Sequence, residues 1–271
     1  MQDWELNQIK AVGAQLVRLD YWEPAKADAV IAKARARGLE PELVIGATLK
    51  PTSTTLADFR SRCAAAATKY HGIIRYYEPS NEPDSNGWTG TAYAPFQIAC
   101  YDAIKAVDSR NVVLMAGLNT APTNQFTAYW LRDAYAAGLK GHYDVMNVHP
   151  YGDPTLNNNW SLWCKTWGCS AMPHPWIIDV MSENGDGGKP IVATEAGGNA
   201  ASGEAWQASV VGAALRDPRP RQVYIYDMLN TVASYGMMVP DSAGTIVAPD
   251  GTHWRRRPAF AAMQSVTGGT G

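Results

Sequence analysis

The chain is expected to fold as an α/β protein, a (β/α)8 TIM barrel, and three observations predict this. Strand-like and helix-like segments alternate along the sequence at intervals of about 30 residues, the signature of repeated βα units around a parallel sheet. A length of 271 residues suits such a barrel as one domain. The alternative is an open, doubly wound sheet. That fold usually carries a Gly-rich phosphate loop after its first strand, and this sequence has none.

The elements follow in order. Residues 3–13 read as a helix closed by Gly13, a C-cap, and 14–20 as a strand. The alanine-rich stretch 25–37 is a helix stopped by Gly38, with a strand at 40–46. Helices are then expected at 54–69, 92–107, 124–137, 175–183, 203–215 and 258–266. Between them lie strands at 73–79, 111–116, 142–149, 189–195 and 221–226. The series starts with a helix, whereas a closed barrel starts with a strand, so the first strand is missing from this chain or lies upstream of it. The barrel domain is expected over 1–266, with 267–271 a flexible tail.

Two connections are long, about 149–175 and 227–257. Both follow strands, so in a barrel both lie on the C-terminal face, where active sites are built. The first holds Trp160, Trp163 and Trp167.

Composition excludes several function classes. Net charge is −2, and the only basic cluster, Arg255-Arg256-Arg257, reads as a solvated loop, so nucleic acid is not an expected partner. No apolar run reaches the roughly 18 residues that a membrane span requires. Met1-Gln2-Asp3-Trp4-Glu5 lacks the basic and apolar regions of a signal peptide. Cys63 and Cys100 lie singly on predicted helices and read as buried small apolar residues. Cys164 and Cys169 bracket a Trp-rich loop; a bridge between them would favour an extracellular setting. His142, His149 and His174 show no metal-ligand spacing, so neither metal nor cofactor is expected.

Two acidic segments carry the chemistry. Tyr77-Glu78-Pro79-Ser80-Asn81-Glu82-Pro83 and Pro190-Ile191-Val192-Ala193-Thr194-Glu195-Ala196-Gly197 each place a glutamate where a strand ends. Either glutamate alone would pass for a surface turn residue. Two carboxylates at the mouth of one barrel are what glycosidic cleavage needs. One must protonate the leaving oxygen, and the other must attack or support the sugar carbon.

With these segments, Val17-Arg18-Leu19-Asp20, Val148-His149-Pro150-Tyr151-Gly152 and Gly187-Gly188-Lys189-Pro190-Ile191, the chain resembles clan A glycoside hydrolases. The likeness is best to the β-xylosidase-like and bacterial exopolysaccharide-hydrolase branch. In that clan the acid/base ends the fourth strand and the nucleophile the seventh. Counting the missing strand first, these are Glu82 and Glu195. The resemblance further implies that Asn81 bonds the sugar 2-hydroxyl and that Arg18 keeps Glu195 ionised. It places His149 and Tyr151 against the nucleophile or the sugar, and Tyr226 where the clan often has a tryptophan platform. Ser80 stands where many relatives have tryptophan, which leaves the subsite shape and the sugar open.

Ten tryptophans and thirteen tyrosines against four phenylalanines suit a carbohydrate site. Stacking on sugar is the functional reading for Trp22, Trp88, Trp160, Trp163 and Trp167, with packing of the loop the equal alternative for each one. Trp4, Trp130, Trp176 and Trp206 sit on helices and read as barrel-wall packing. A retaining glycosidase acting on a polysaccharide or oligosaccharide, extracellular or associated with the cell envelope, is the leading reading. The rival is a non-catalytic glycan-binding or structural barrel within a larger envelope or virion protein.

Overall fold

The structure, a computed structural model, describes residues 1–21, 24–46, 49–51, 54–119, 127–151, 177–218, 220–229 and 234–269. Trp22, Trp160, Trp163, Trp167, Trp176, Cys164 and Cys169 lie outside the described residues.

Helix α1 (Asp3–Ala11) leads into β1 (Leu16–Asp20), and strands then alternate with helices along most of the chain. The series continues α2 (Pro24–Ala36), β2 (Glu40–Gly46), α3 (Leu56–Lys69), β3 (Tyr76–Ser80) and α4 (Gly90–Val107). Local sequence sets these starts. Thr55 and Thr89 cap α3 and α4 by accepting the amides of Asp58 and Ala92, each at 3.1 Å.

The predicted strand at 111–116 becomes two short pieces of one stave, β4 (Val112–Val113) and β5 (Leu118–Asn119). β4 pairs with β3 and β5 with β6 (Met146–His149), while single bridges at Leu114 and Gly117 join the two halves. Helix α5 (Thr127–Ala136) precedes β6; α6 (Ile177–Glu183), β7 (Ile191–Ala196), α7 (Glu204–Arg216), β8 (Val223–Ile225) and α8 (Pro258–Thr267) complete the wall. All pairings from β1 through β8 are parallel and between neighbours in sequence.

Strand period sorts the core. Leu43, Ile45, Tyr77, Met146, Val148 and Ala193 belong to the buried layer shared with the helices. The alternate residues Arg18, Glu42, Glu78 and Tyr224 meet one another inside the barrel, and Asn147 accepts the Thr194 hydroxyl there. Among the described residues no strand lies between β1 and β8. Instead a cavity of about 850 Å³ opens there, lined by β1, β8, α1 and α8.

Four expectations need correction. Cys63 and Cys100 are bonded to each other, because α3 and α4 pack side by side and bring their Cα atoms to 5.3 Å. The connection after β8 is not irregular throughout. Its described part carries an antiparallel sheet of β9 (Met238–Pro240), β10 (Ile246–Val247) and β11 (His253–Arg256). Within it Arg255 bridges Glu204 and Asp241 at 2.8 and 2.9 Å, and Arg257 is buried on the Gly236 carbonyl at 2.7 Å. The basic cluster is therefore a structural clasp, not a solvated loop. Helix α8 also runs on to Thr267, whose hydroxyl donates to the Val12 carbonyl at 2.6 Å, so the wall extends one residue into the expected tail.

The Cys63–Cys100 bridge closes a loop with a sequence separation of 37. Without the bridge the unfolded chain regains loop entropy worth about 4 kcal/mol, so Cys63→Ala/Cys100→Ala is expected to melt about 8–16 °C lower. Thermal unfolding with and without reductant checks this; identical curves for oxidised parent and double variant would refute the bridge.

Candidate active site

Glu82 follows β3 in a turn that puts it in the left-handed region, φ 43°, a strained position for a residue with a side chain. The turn is held because the Glu82 amide donates to the Gly117 carbonyl at 2.9 Å, while Ser85 and Asn86 amides return to the Glu82 carbonyl at 3.0 Å. Glu195 lies in β7, where the register to β8 slips between Ala193 and Ala196. Such an irregularity re-aims side chains. Here the adjacent Thr194 and Glu195 both reach the interior, one to His149 and the other to Arg18.

The two glutamates converge on His149. Its Nδ1 is 2.9 Å from Glu82 Oε1 and 3.8 Å from Glu195 Oε2. One side-chain ligand atom from each of the three lies within 4.8 Å of the others. His149 is fully buried. Burial alone would strip its proton, but the charge of Glu195 and the contact with Glu82 outweigh this and hold the imidazole above its ordinary range. Its Nε2 faces Thr194 Oγ1 at 3.0 Å, and that hydroxyl donates onward to Asn147 Oδ1 at 2.8 Å. With the hydroxyl proton so spent, Nε2 is the donor, and a single proton is shared between Nδ1 and Glu82.

Glu195 receives different partners. Arg18 Nη1 donates to Oε1 at 2.6 Å and the Tyr151 hydroxyl to Oε2 at 2.5 Å. Burial raises the pKa of Glu195, yet the positive His149 and Arg18 and the two donated bonds prevail, so it falls below the ordinary value of 4.5. Asn81 accepts Arg18 Nη2 at 2.7 Å, which fixes its amide orientation. Tyr151 stands edge-on to Tyr226 at 6.2 Å and to Tyr235 at 5.2 Å.

The structure thus brings Glu82, Glu195, Arg18, Asn81, His149 and Tyr151 together, with Tyr226 beside them. Trp88 is not among them. It is buried against Phe96 with its indole N–H on the Leu49 carbonyl, 3.3 Å away, so it packs α4 and does not face a ligand. Trp130 is buried as expected, Trp4 packs on Trp254 at 5.6 Å, and Trp206, 36% exposed, lays its ring against Gly198.

Several residues escaped the sequence reading. Glu78 is fully buried and grips Arg18 through Nε and Nη2 at 2.7 and 3.0 Å. Glu42 lies beside it, bonded by the Tyr224 hydroxyl at 2.6 Å. Asp84 accepts the Asn119 amide and the Thr127 hydroxyl at 3.1 and 3.0 Å; burial pushes its pKa up to about 7. Tyr235 joins the tyrosine group from beyond β8. The signal available was a charge inside an apolar strand, two residues from another inward-facing position: Glu42 before Val44, and Glu78 before Ser80.

A family model for cellulase, glycosyl hydrolase family 5, matches residues 25–230. No functionally curated protein matches the sequence. A family 39 glycoside hydrolase from Bacteroides cellulosilyticus superposes with a TM-score of 0.72 at 17% identity, over 98% of this chain and 61% of that one. A monomeric β-xylosidase from Caulobacter crescentus gives 0.68 at 15%, over 97% of this chain and 64% of the other. The catalytic domain of the major endoglucanase from Xanthomonas campestris gives 0.62 at 17%, over 98% and 88%. The chain spans less than two thirds of the length of the first two. At such identities the likeness shows the fold, which is the expected (β/α)8 barrel of the clan A hydrolases. The sequence match is broader in meaning: covering residues 25–230, it makes this chain a member of the cellulase family, glycosyl hydrolase family 5.

Proposed function

We propose that the protein hydrolyses an O-glycosidic bond in a polysaccharide or oligosaccharide by double displacement, with Glu195 as nucleophile and Glu82 as acid/base. One observation carries this reading: both carboxylates reach the same His149, with ligand atoms within 4.8 Å, yet only Glu195 is held by Arg18 and Tyr151. Carboxyl groups about 5–5.5 Å apart belong to retaining enzymes, since an inverting one needs room for a water between them.

The steps follow from these contacts. Glu195 attacks the anomeric carbon while the proton shared by Glu82 and His149 passes to the departing oxygen, and the glycosidic C–O bond breaks. A glycosyl ester on Glu195 remains. Water then gives its proton to Glu82 and its oxygen to the anomeric carbon, which frees Glu195 as a carboxylate. Asn81, oriented by Arg18, has its amide N–H groups toward the sugar 2-hydroxyl, and Tyr226 lies against the sugar face. The family and the Cys63–Cys100 bridge support an extracellular or envelope setting, because such bridges persist in oxidising compartments.

A panel of 2-deoxy-2-fluoro glycosides with good leaving groups tests the proposal. Intact mass is expected to rise by one fluoroglycosyl unit, and peptide mapping to put it on Glu195. A label on another residue would overturn the assignment, and release of the inverted anomer in proton NMR would overturn the mechanism. The acid limb of kcat/KM is also expected below pH 4.5, since Glu195 stays charged as pH falls until its depressed pKa is reached. Tyr151→Phe removes one donor and should move that limb upward; an unmoved limb in a pH-rate profile would contradict the role of Tyr151.

A further inference from the structure

Three carboxylates surround one cation inside the barrel. Arg18 sends Nε and Nη2 to Glu78, Nη1 to Glu195, and Nη2 also to Asn81. Glu78 accepts a further bond from the Gly117 amide at 3.0 Å. Glu42, 1% exposed, is the third carboxylate, with Oε1 at 3.9 Å from Arg18 Nε. Its Oε2 is satisfied by the Tyr224 hydroxyl, but its buried Oε1 has no donor. A buried acceptor without a donor is costly, and so is a third negative charge beside one guanidinium. One proton removes both costs. Placed on Oε1, it turns the orphaned acceptor into a donor toward Glu78.

We propose that Glu42 is a protonated carboxylic acid whose bond to Glu78 holds Arg18 against Glu195, making it a positioning residue for the hydrolysis proposed above, on which this role rests. The groups facing it are Arg18 on β1, Glu78 on β3 and Tyr224 on β8, with Glu195 on β7 reached through Arg18. Burial first, and then the charge of Glu78, raise its pKa to about 8, consistent with the geometry.

The sign for stability follows. Because the folded value exceeds the unfolded one, the contribution of Glu42 is full below pH 4.5 and is lost as pH rises toward 8.

Glutamate labelled with 13C at Cδ provides the test, with Glu42→Gln assigning the resonance. The Glu42 carboxyl is expected in its protonated position at pH 7 and to titrate near pH 8. A titration in the ordinary glutamate range would overturn the proposal. Glutamine keeps an acceptor for Tyr224 and a donor for Glu78, so Glu42→Gln is expected to hold kcat within about 3-fold of the parent. Glu42→Ala, which frees Arg18, should lower kcat about 30-fold with little change in KM. In the alanine variant the Glu195 resonance should also titrate higher, and in the glutamine variant it should not. Equal kcat losses in the two variants, or an unmoved Glu195 titration in Glu42→Ala, would overturn the positioning role. Should Glu42→Ala not fold, the parent titration and Glu42→Gln still decide. The two NMR titrations need no turnover, so failure of the hydrolysis reading and failure of the proton assignment are separately visible.

Discussion

Glu195→Gln is expected to lower kcat by about 10⁴-fold or more while leaving substrate binding close to that of the parent. The amide is neutral and cannot form the glycosyl ester, yet its oxygen still accepts from Arg18 or Tyr151, so the pocket keeps its shape. Binding measured by calorimetry alongside turnover separates the two readings of the barrel. Lost turnover with retained affinity fits a nucleophile. Undiminished turnover would exclude Glu195 from the chemistry, and a parent that binds glycans without cleaving any would favour the non-catalytic rival. Glu82→Gln should behave differently. Loss of the proton donor costs about 10²–10⁴-fold on poor leaving groups and far less on an aryl leaving group that departs as the anion. A uniform loss across leaving groups would argue against an acid/base at position 82.

Gly117→Ala is expected to lower kcat/KM by at least about 100-fold and stability by about 1–3 kcal/mol, a large effect for one methyl group. A Cβ at this position would stand 2.1 Å from His149 Nε2 and 2.6 Å from Cε1. The imidazole cannot stay, and moving it breaks its bonds to both Glu82 and Thr194. Gly117 also supplies the carbonyl that holds the Glu82 amide and the amide that holds Glu78, so its backbone has little room to yield. Steady-state kinetics, thermal unfolding and the proton NMR titration of His149 report on the displacement. A fully active variant with an unchanged His149 titration would show that the ring has another resting place.

The sequence made Glu82 and Glu195 legible because each closes an apolar run with a turn residue behind it. Arg18, His149 and Tyr151 were named through the resemblance to clan A hydrolases; strand period two adds only that 149 and 151 share one face. What stayed hidden depends on three-dimensional neighbours. Glu42 and Glu78 look like interruptions of apolar strands until Arg18 is placed between them. Gly117 looks like an ordinary end-of-strand glycine until His149 is seen against its bare Cα. For Trp88 the sequence left sugar stacking and loop packing open, and the packing on Phe96 decides for the second. Cys63 and Cys100 carry no pairing signal at a separation of 37; only the packing of α3 on α4 creates one.

That cross-link has a topological consequence. The segment it encircles, 63–100, contains Glu78, Asn81 and Glu82, so the proposed acid/base lies within a covalent ring. A protease that cuts the ring at an exposed turn, such as the one at Gly87, leaves both ends tethered through sulfur. The nicked chain migrates as one species until reductant is added and as two afterwards, and β3 stays anchored to its neighbours between those events.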